Sequence, residues 1–409
     1  IRQLVLPGTN AMRVFLVAAL IGLAAALPRL RLVENLDDPD RISGEYLVVL
    51  HPTAIRTNQV KYASEVADKI SALSSEVTVV KRFTNLKAPI FLVKASEESV
   101  MSSLFQLHEI DAIQANSIAT IQQCSSQSSG ERVWGLSRIS STSLPNFSTA
   151  QFSYGSNDGA GVRVYVLDTG IRLTHQDFGG RAEFGLNVVG GSNDDALGHG
   201  THCAGTAVGS EFGVAKAATV VSMKVFADYG GGPVSGIVEA MDYAVAELQS
   251  TGGRGVLSMS LGSIGQTAMD SAADSAVADG VPVVTSAGNG NRDACLHSPA
   301  RAAGAITVGN TDITDRLYSL SNHGSCVDIL APGTDILSAS HESDTGSRLE
   351  TGTSMSCPHV SGVVAKYLSD NPNASPSQVR AFLTSTATPG LIDVRGWIST
   401  PNLLLYTSC

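Results

Sequence analysis

The sequence has little charge, and basic charge is the scarcer kind. Of its 409 residues 16% are charged, and 27 Lys and Arg stand against 37 Asp and Glu, for a formal net charge of −10. A nucleic-acid-binding domain usually carries a basic stripe, so this balance argues against a nucleic-acid partner. The acidic excess favours solubility. An apolar fraction of 43% can supply a large core, and the length predicts two or three units.

Long apolar runs are also scarce, and the most prominent one is short for a bilayer. Residues 14–26 are apolar or small, follow Met12 and Arg13, and precede Pro28. A membrane span needs about 20 apolar residues, whereas this charged start, apolar middle and small-residue end are typical of a secretory signal peptide. We expect a signal peptide over 12–26, an extracellular location and no membrane attachment after its removal. Because residue 1 is isoleucine, the sequence is either a fragment or a reading frame translated from too far upstream, and we favour the second interpretation.

Cysteine is present but sparse. In a secreted chain some of these residues should pair, although their spacing does not fix the connectivity. A bond between Cys357 and Cys409 is one open possibility, and we otherwise expect Cys203 and Cys357 to be packed, inert thiols. The six cysteines are Cys124, Cys203, Cys295, Cys326, Cys357 and Cys409.

Three separate segments carry the side chains of an acyl-transfer centre. An apolar run over 162–168 ends in Asp168, His199 opens a helix of small residues, and Ser354 follows Gly352 and Thr353 at the start of an apolar helix. A serine hydroxyl becomes a useful nucleophile only when a base takes its proton. The free N–H groups at a helix N-terminus stabilise developing negative charge. Asp, His and Ser in this chain order form one of the known orders of a catalytic triad.

Each of these residues also has an alternative interpretation. Ser354 could be a helix cap, and His202 competes with His199 as the base. A zinc site at the two histidines is disfavoured, because a zinc-protease helix has histidines four apart with a glutamate between them, whereas these are three apart. Two rival functions remain: a thiol hydrolase that uses Cys203 or Cys357, and a non-catalytic protein that binds peptides or inhibitors.

The three segments resemble the motifs of the subtilisin-like serine proteases, and the sequence around each of them is most similar to the proteinase K group. The resemblance covers roughly 133–406. It implies that Ser354 is the nucleophile, that His199 is the general base, and that Asp168 orients the imidazole. Asn289, which follows an apolar strand, matches the side-chain donor of the family's oxyanion hole. Asp194 and Asp195 are expected to be solvated or to have a structural role in their loop.

The resemblance also implies where a substrate binds. Two backbone segments would hold a peptide as an added strand, and small residues would line the first specificity pocket. Such a pocket favours an apolar or aromatic P1 side chain, although Ser263 stands where the family often has a second glycine. The implied substrate-binding residues are Gly230, Gly231, Gly232, Ser260, Leu261, Gly262, Ala287 and Gly288.

A structural calcium ion and a disulfide complete what the resemblance implies. Asp328 and the carbonyl groups of Ala303 and Ala305 match the main calcium site of the proteinase K group, and hard oxygen ligands suit this ion. Cys295 and Cys326 lie where related secreted proteases have a disulfide.

The first part of the chain has its own βαββαβ pattern. Strands are predicted at 46–50, 77–80, 90–93 and 115–121, with helices at 58–73 and 96–107, which is a ferredoxin-like arrangement. Its position resembles that of the inhibitory pro-domain of these proteases; an unrelated binding module is the alternative. We expect a structureless segment at 123–130 that the enzyme itself cleaves. The predicted organisation is signal peptide 12–26, linker 27–43, pro-domain 44–122, processing linker 123–130 and catalytic domain 131–409.

The later part alternates apolar strands with helices of small residues. Strands are predicted at 162–168, 220–226, 256–260, 281–286 and 305–309, and helices at 234–249, 267–279 and 354–369. Nearly unbroken apolar strands are typical of a parallel sheet covered on both faces, which predicts a three-layer α/β domain. Active residues in such sheets gather at the carboxyl ends of strands. We expect a monomer that acts on protein substrates, with a glycosylation sequon at Asn146.

Overall fold

The computed structural model describes residues 33–34, 36, 41–51, 59–84, 88–117, 124–130 and 132–409. The predicted signal peptide at 12–26 lies outside these ranges. The chain divides into two compact units, 1–121 and 122–409. Within the described ranges, no helix combines the length and the apolar character that crossing a membrane requires.

The first unit has the predicted ferredoxin-like arrangement. Its sheet order is β1-β5-β2-β4-β3, in which β2, β3, β4 and β5 pair antiparallel and the short β1 adds parallel to β5. Apolar residues of the sheet and of helix α1, among them Val48, Val66 and Phe91, form one core. The elements are β1 Val33–Glu34, β2 Arg41–Leu50, α1 Gln59–Leu73, β3 Thr78–Phe83, β4 Ile90–Lys94, α2 Glu97–Ser103 and β5 Ile110–Ser117.

The second unit contains a nine-stranded sheet, several two-stranded sheets and six helices longer than one turn in its described residues. Its helices are α3 Trp134–Ile139, α4 His199–Val208, α5 Val234–Thr251, α6 Thr267–Ala278, α7 Thr353–Asp370 and α8 Pro376–Thr386. Its strands are β6 Cys124–Ser128, β7 Gln151–Gly155, β8 Val162–Asp168, β9 Ala182–Asn187, β10 Thr219–Lys224, β11 Arg254–Met259, β12 Ser263–Ile264, β13 Val283–Ser286, β14 His297–Ser298, β15 Ile306–Thr311, β16 Ile329–Pro332, β17 Ile336–Ala339, β18 Ser347–Glu350, β19 Thr388–Pro389 and β20 Leu403–Leu404.

The large sheet has the order β19-β20-β16-β15-β13-β11-β8-β10-β9, and it is parallel except for the edge pair β19 and β20. Side chains of successive residues go to opposite faces. Val164 and Val166 of β8 pack with α4 and α7, while Tyr165 and Leu167 pack with α5 and α6. Helices therefore cover both faces, and the predicted three-layer α/β fold is confirmed. The order also places the carboxyl ends of β8, β11 and β13 side by side.

The predicted elements agree with the structure at most positions. The strand at 162–168 is confirmed at both ends, and helix α7 exceeds the predicted 354–369 by one residue at each end. The last strand of the first unit is misplaced, because it begins at Ile110 instead of residue 115. Several strands were not predicted, among them β9, β16, β17 and β18. Several of these are short or half-exposed and lack the unbroken apolar run of a central strand.

The expectation that 123–130 is structureless is wrong for most of its length. Residues Cys124–Ser128 form β6, which pairs antiparallel with β7. Cys124 is also disulfide-bonded to Cys409, and Cys295 to Cys326. Cys357 is a buried free thiol, as is Cys203, so the bond between Cys357 and Cys409 that the sequence left open does not form.

We predict that the two disulfides contribute unequally to stability. They join residues 285 and 31 positions apart, and the longer loop restricts the unfolded chain more. Replacing Cys124 and Cys409 by serine should lower the free energy of unfolding by about 5 kcal/mol, against about 3–4 kcal/mol for Cys295 and Cys326. Urea unfolding of the two double variants measures both losses. Equal losses would contradict the loop-length argument.

Candidate active site

Asp168 and His199 form a close pair at the carboxyl edge of the sheet. Asp168 is the last residue of β8 and fully buried, whereas the His199 side chain is 31% exposed. Nδ1 of His199 lies 2.8 and 2.9 Å from the two carboxylate oxygens of Asp168, to which it donates. Burial lowers the pKa of His199, but the charge and hydrogen bond of Asp168 outweigh it and raise this pKa well above 6.5. The pair holds the imidazole with its other nitrogen directed away from Asp168.

A second buried carboxylate fixes the helix that carries His199. The Oδ2 atom of Asp195 accepts from the Thr201 backbone N–H (2.9 Å) and hydroxyl (2.6 Å), and its Oδ1 accepts from Gly198 N–H (2.8 Å) and the Thr169 hydroxyl (2.8 Å). It thus satisfies free donors at the start of α4. Of the two roles expected for Asp195, the structural role in its loop is confirmed. The expectation of a solvated side chain is wrong, because Asp195 is buried. A loop aspartate gives no sequence signal of burial.

Ser354 lies in the first turn of α7, where Pro358 changes the hydrogen bonding. A proline at this position cannot donate to the carbonyl four residues earlier, which is that of Ser354. Two side chains donate to that carbonyl instead: the hydroxyl of Ser260 (2.7 Å) and the thiol of Cys203 (3.4 Å). Cys203 is one turn from His199 on α4, so these bonds join α4, α7 and the end of β11. The Ser354 hydroxyl donates to the Ser260 carbonyl (3.2 Å).

Asn289 lies three residues after β13, beside the start of α7. Its Oδ1 accepts from the Thr353 backbone N–H (2.8 Å) and hydroxyl (3.0 Å), which fixes the amide and leaves its NH₂ group to donate elsewhere. Asn322 supports this loop, because its NH₂ donates to the Ala287 carbonyl (2.8 Å) and its Oδ1 accepts from Gly290 N–H (3.0 Å). Sequence reasoning missed Asn322, since an isolated asparagine followed by His-Gly reads only as a turn.

The remaining histidine and thiols near the site do not have the properties of reagents. Nε2 of His202 donates to the Ile336 carbonyl (2.9 Å), and burial lowers the pKa of His202 to about 3. Burial also raises the pKa of the Cys203 thiol, and raises that of Cys357 to about 12. His202 therefore stays neutral and has a structural role, and both cysteines stay thiols. This disfavours the thiol-hydrolase alternative.

Comparison with known proteins identifies the family. The profile described as "Subtilase family" matches residues 159–398. This chain belongs to the subtilase family. It is 46% identical over 276 residues to an "Extracellular serine proteinase" of a Thermus species, covering 67% of this chain and 66% of that protein. It is 38% identical over 380 residues to "Alkaline serine exoprotease A" of Vibrio alginolyticus, covering 90% and 68%.

A fungal relative and a solved structure agree with this assignment. The "Cuticle-degrading serine protease" of Arthrobotrys oligospora is 33% identical over 417 residues, covering 97% of this chain and 98% of that protein. The crystal structure of "a cold adapted subtilisin-like serine proteinase" superposes with a TM-score of 0.63 at 40% identity, and it covers 68% of this chain and 100% of its own. Together these findings make the chain a subtilisin-like serine protease with a subtilisin-like fold.

The segments expected to bind substrate in this subtilase lie at the same edge of the sheet. Ser260, Leu261 and Gly262 directly follow β11, and Ala287 and Gly288 directly follow β13. Gly288 has φ +101°, and a Cβ there would lie 2.5 Å from Asn322, so the loop requires glycine. The third segment, 230–232, follows β10, where Gly230 lies near Leu197 of the loop before His199.

The predicted calcium ligands come together, but the guanidinium of Arg380 occupies the space between them. Arg380 donates through Nη1 to Asp328 and through Nη2 to the carbonyls of Ala303 (3.2 Å) and Ala305 (2.6 Å). The guanidinium of Arg380 is a cation whose N–H groups already bond these oxygen atoms, and it occupies the position that a calcium ion would take. The residues present, with Arg380 among them, therefore do not fit calcium at this place.

We predict that Asp168 sets the pH dependence of hydrolysis. With His199 as the general base, its neutral form is the reactive one, so we expect kcat/KM to rise as the pH passes the raised pKa of His199. In Asp168→Asn the charge is lost while burial remains, so this rise should move to lower pH. The rate should also fall by about 10⁴-fold, the loss known for this change in another serine protease.

A pH series of kcat/KM on a chromogenic peptide measures both effects. Asp270→Asn is the matched control, because it removes a partly buried carboxylate that pairs with Arg301 elsewhere in the same unit. In the control, kcat/KM should rise over the same pH range as in the wild type. If the rise in Asp168→Asn also stays at the wild-type pH, the pairing of Asp168 with a catalytic His199 would be contradicted.

Proposed function

We propose that this subtilase is a secreted endopeptidase of the proteinase K branch, made as a self-processing precursor. The observation that carries the proposal is the bond from His199 Nδ1 to both oxygens of Asp168. Cys203, one turn from His199, donates to the carbonyl of Ser354 in the first turn of α7. The names of the Thermus and fungal relatives support secretion and proteolysis. The His199-Gly200-Thr201-His202-Cys203 motif supports the branch.

In this mechanism Ser354 Oγ attacks the carbonyl carbon of the scissile peptide while His199 Nε2 takes the hydroxyl proton. The tetrahedral intermediate then collapses, the C–N bond breaks, and His199 passes the proton to the leaving amine. Water repeats the sequence on the acyl-enzyme and releases the acid. Throughout, Asp168 holds the proton on Nδ1 and stabilises the imidazolium.

The oxyanion receives two donors in this proposal. The Ser354 N–H has no acceptor within its own helix because it lies in the first turn. The NH₂ group of Asn289 is the second donor, oriented by the two bonds that its Oδ1 accepts from Thr353. A side-chain donor of this kind is worth about 3 kcal/mol in the transition state, a magnitude measured in subtilisin itself.

An apolar or aromatic P1 preference follows from the small residues after β11 and β13. Buried Ala287 and the glycines leave room for a large side chain. Two large apolar residues also adjoin the binding segments and are exposed, Tyr229 at 84% and Ile264 at 62%. Exposed apolar groups beside a cleft are suited to contact an apolar peptide.

The first unit is proposed as the inhibitory pro-domain, and Cys124 restricts where it is cut. Of the bonds within 123–130, a cut after Cys124 would leave the first unit attached through the disulfide to Cys409. It would also divide or remove the β6 strand. We therefore place the processing bond immediately before Cys124 or upstream of it.

Expression from Met12 with and without Ser354→Ala tests the function. We expect the wild type to lose the residues before Cys124 and to cleave casein, because one nucleophile carries out both steps. Ser354→Ala should remain full length and inactive, and Ser377→Ala, an exposed serine of α8, should behave as wild type. Intact mass without reduction measures the processing.

The other outcomes decide between the rivals. Processing and cleavage by Ser354→Ala would refute the triad. A folded wild type that neither processes nor hydrolyses peptides would favour the non-catalytic binding protein. A retained first unit that leaves only after reduction would contradict a cut before Cys124.

A further inference from the structure

Four oxygen-bearing groups converge between α6, α8 and the sheet. The carbonyls of Ala303, Gly304 and Ala305 come from the loop that precedes β15. The carboxylate of Asp328, next to β16, is the fourth; its Oδ2 accepts from Thr307 N–H at 2.8 Å. Such a cage of backbone oxygens with one carboxylate is the kind of ligand set that a hard cation prefers.

A side chain from α8 fills this cage. Arg380 donates through Nη1 to Asp328, and its Nη2 lies 3.2, 3.0 and 2.6 Å from the carbonyl oxygens of Ala303, Gly304 and Ala305. Its helix is held in place by its own packing, because Val379 and Leu383 are buried in the main core. The guanidinium therefore reaches the cage from a fixed support.

An arginine and a calcium ion exclude one another here. Calcium requires six to eight oxygen ligands at about 2.3–2.6 Å, whereas the guanidinium already uses the carboxylate and all three carbonyls as acceptors. Adding a divalent ion would place it against a permanent positive charge with a single carboxylate to balance both. We propose that Arg380 replaces the calcium ion at this position, so that its ion pair and carbonyl bonds fasten α8 to the sheet without metal.

The four oxygen-bearing groups should keep their positions when Arg380 is replaced, because α6 also holds the loop that precedes β15. Asp274 of α6 accepts from Gly304 N–H at 2.7 Å, and Asp270 of the same helix accepts from Arg301 at 2.6 Å. Neither bond involves Arg380. A variant without the guanidinium would therefore keep the inward-facing oxygens, now without a cation. Such a site should acquire affinity for calcium.

Thermal unfolding of the purified enzyme, inactivated with phenylmethylsulfonyl fluoride, tests the proposal. In EDTA, Arg380→Ala should lower Tm by about 5 °C, and millimolar calcium should restore most of this loss while magnesium should not. The wild-type response to calcium is the baseline, since it reports any ion bound elsewhere. Arg380→Ala combined with Asp328→Asn should lose Tm without gaining a calcium response above that baseline.

Two controls separate replacement of an ion from simple loss of an ion pair. Arg172→Ala removes a comparable arginine, which bonds Asp344 (2.6 Å) and the His341 carbonyl (2.9 Å), and its loss of Tm should not be restored by calcium. Asp328→Asn alone should leave the calcium response of the wild type unchanged. Loss of that response would show that calcium binds at Asp328 beside Arg380, and would overturn the proposal.

The remaining outcomes are also decisive. If calcium raises the Tm of Arg380→Ala by no more than it raises the Tm of the wild type, the four oxygen-bearing groups do not bind calcium. That result would overturn the proposal that Arg380 replaces the ion. If Arg380→Ala does not fold, Arg380→Gln keeps much of the stem and is measured in its place. If no variant at this position folds, the Asp328→Asn comparison in the wild-type background still decides, because it requires no change at Arg380.

Discussion

The carbonyl group of Ser354 is the point on which the active site depends. Pro358 removes its helical donor, and a buried carbonyl without a partner is costly. The hydroxyl of Ser260 and the thiol of Cys203 take the place of that donor. Because Pro358 has no N–H, the Ser354 carbonyl bonds these two side chains instead, and the bonds connect α7 to α4, which carries His199, and to the end of β11. The carbonyl of the same residue, Ser260, accepts from the Ser354 hydroxyl, so two atoms of Ser354 are bonded to the residue that follows β11.

The parallel sheet explains why this junction forms where it does. Asp168 ends β8, Ser260 follows β11, and Asn289 follows β13, and these three strands are neighbours. Their carboxyl ends therefore bring together residues far apart in the chain. The polar residues around them are structural: Asp195 binds the start of α4, and Asn322 holds the loop of Asn289. Precise placement of reacting groups depends on such supports.

The sequence predicted those parts that depend on local pattern or on a recognisable motif. Buried parallel strands have unbroken apolar runs, and β8 was located to the residue for this reason. The roles of the triad and of Asn289 were predicted from short motifs, and the structure places Asp168 and His199 in hydrogen-bonding contact. Asn322 and Arg380 were missed, and the burial of Asp195 was not foreseen, because these roles come from contacts distant in sequence or from burial that a polar loop does not reveal. The guanidinium of Arg380 and the carboxylate of Asp328 are 52 positions apart, so no local pattern at Asp328 reveals their contact.

Two long-range links hold the later part of this subtilase together. Cys409 is covalently bound to Cys124 at the other end of the unit, and Arg380 fastens α8 to the loop before β15. A bound ion stabilises a fold by an amount that depends on its free concentration. A disulfide and a guanidinium are parts of the chain, so their contributions do not vary with the metal content of the surroundings. These two links therefore persist where calcium is scarce, and with the replacement proposed above the position at Asp328 does not respond to calcium.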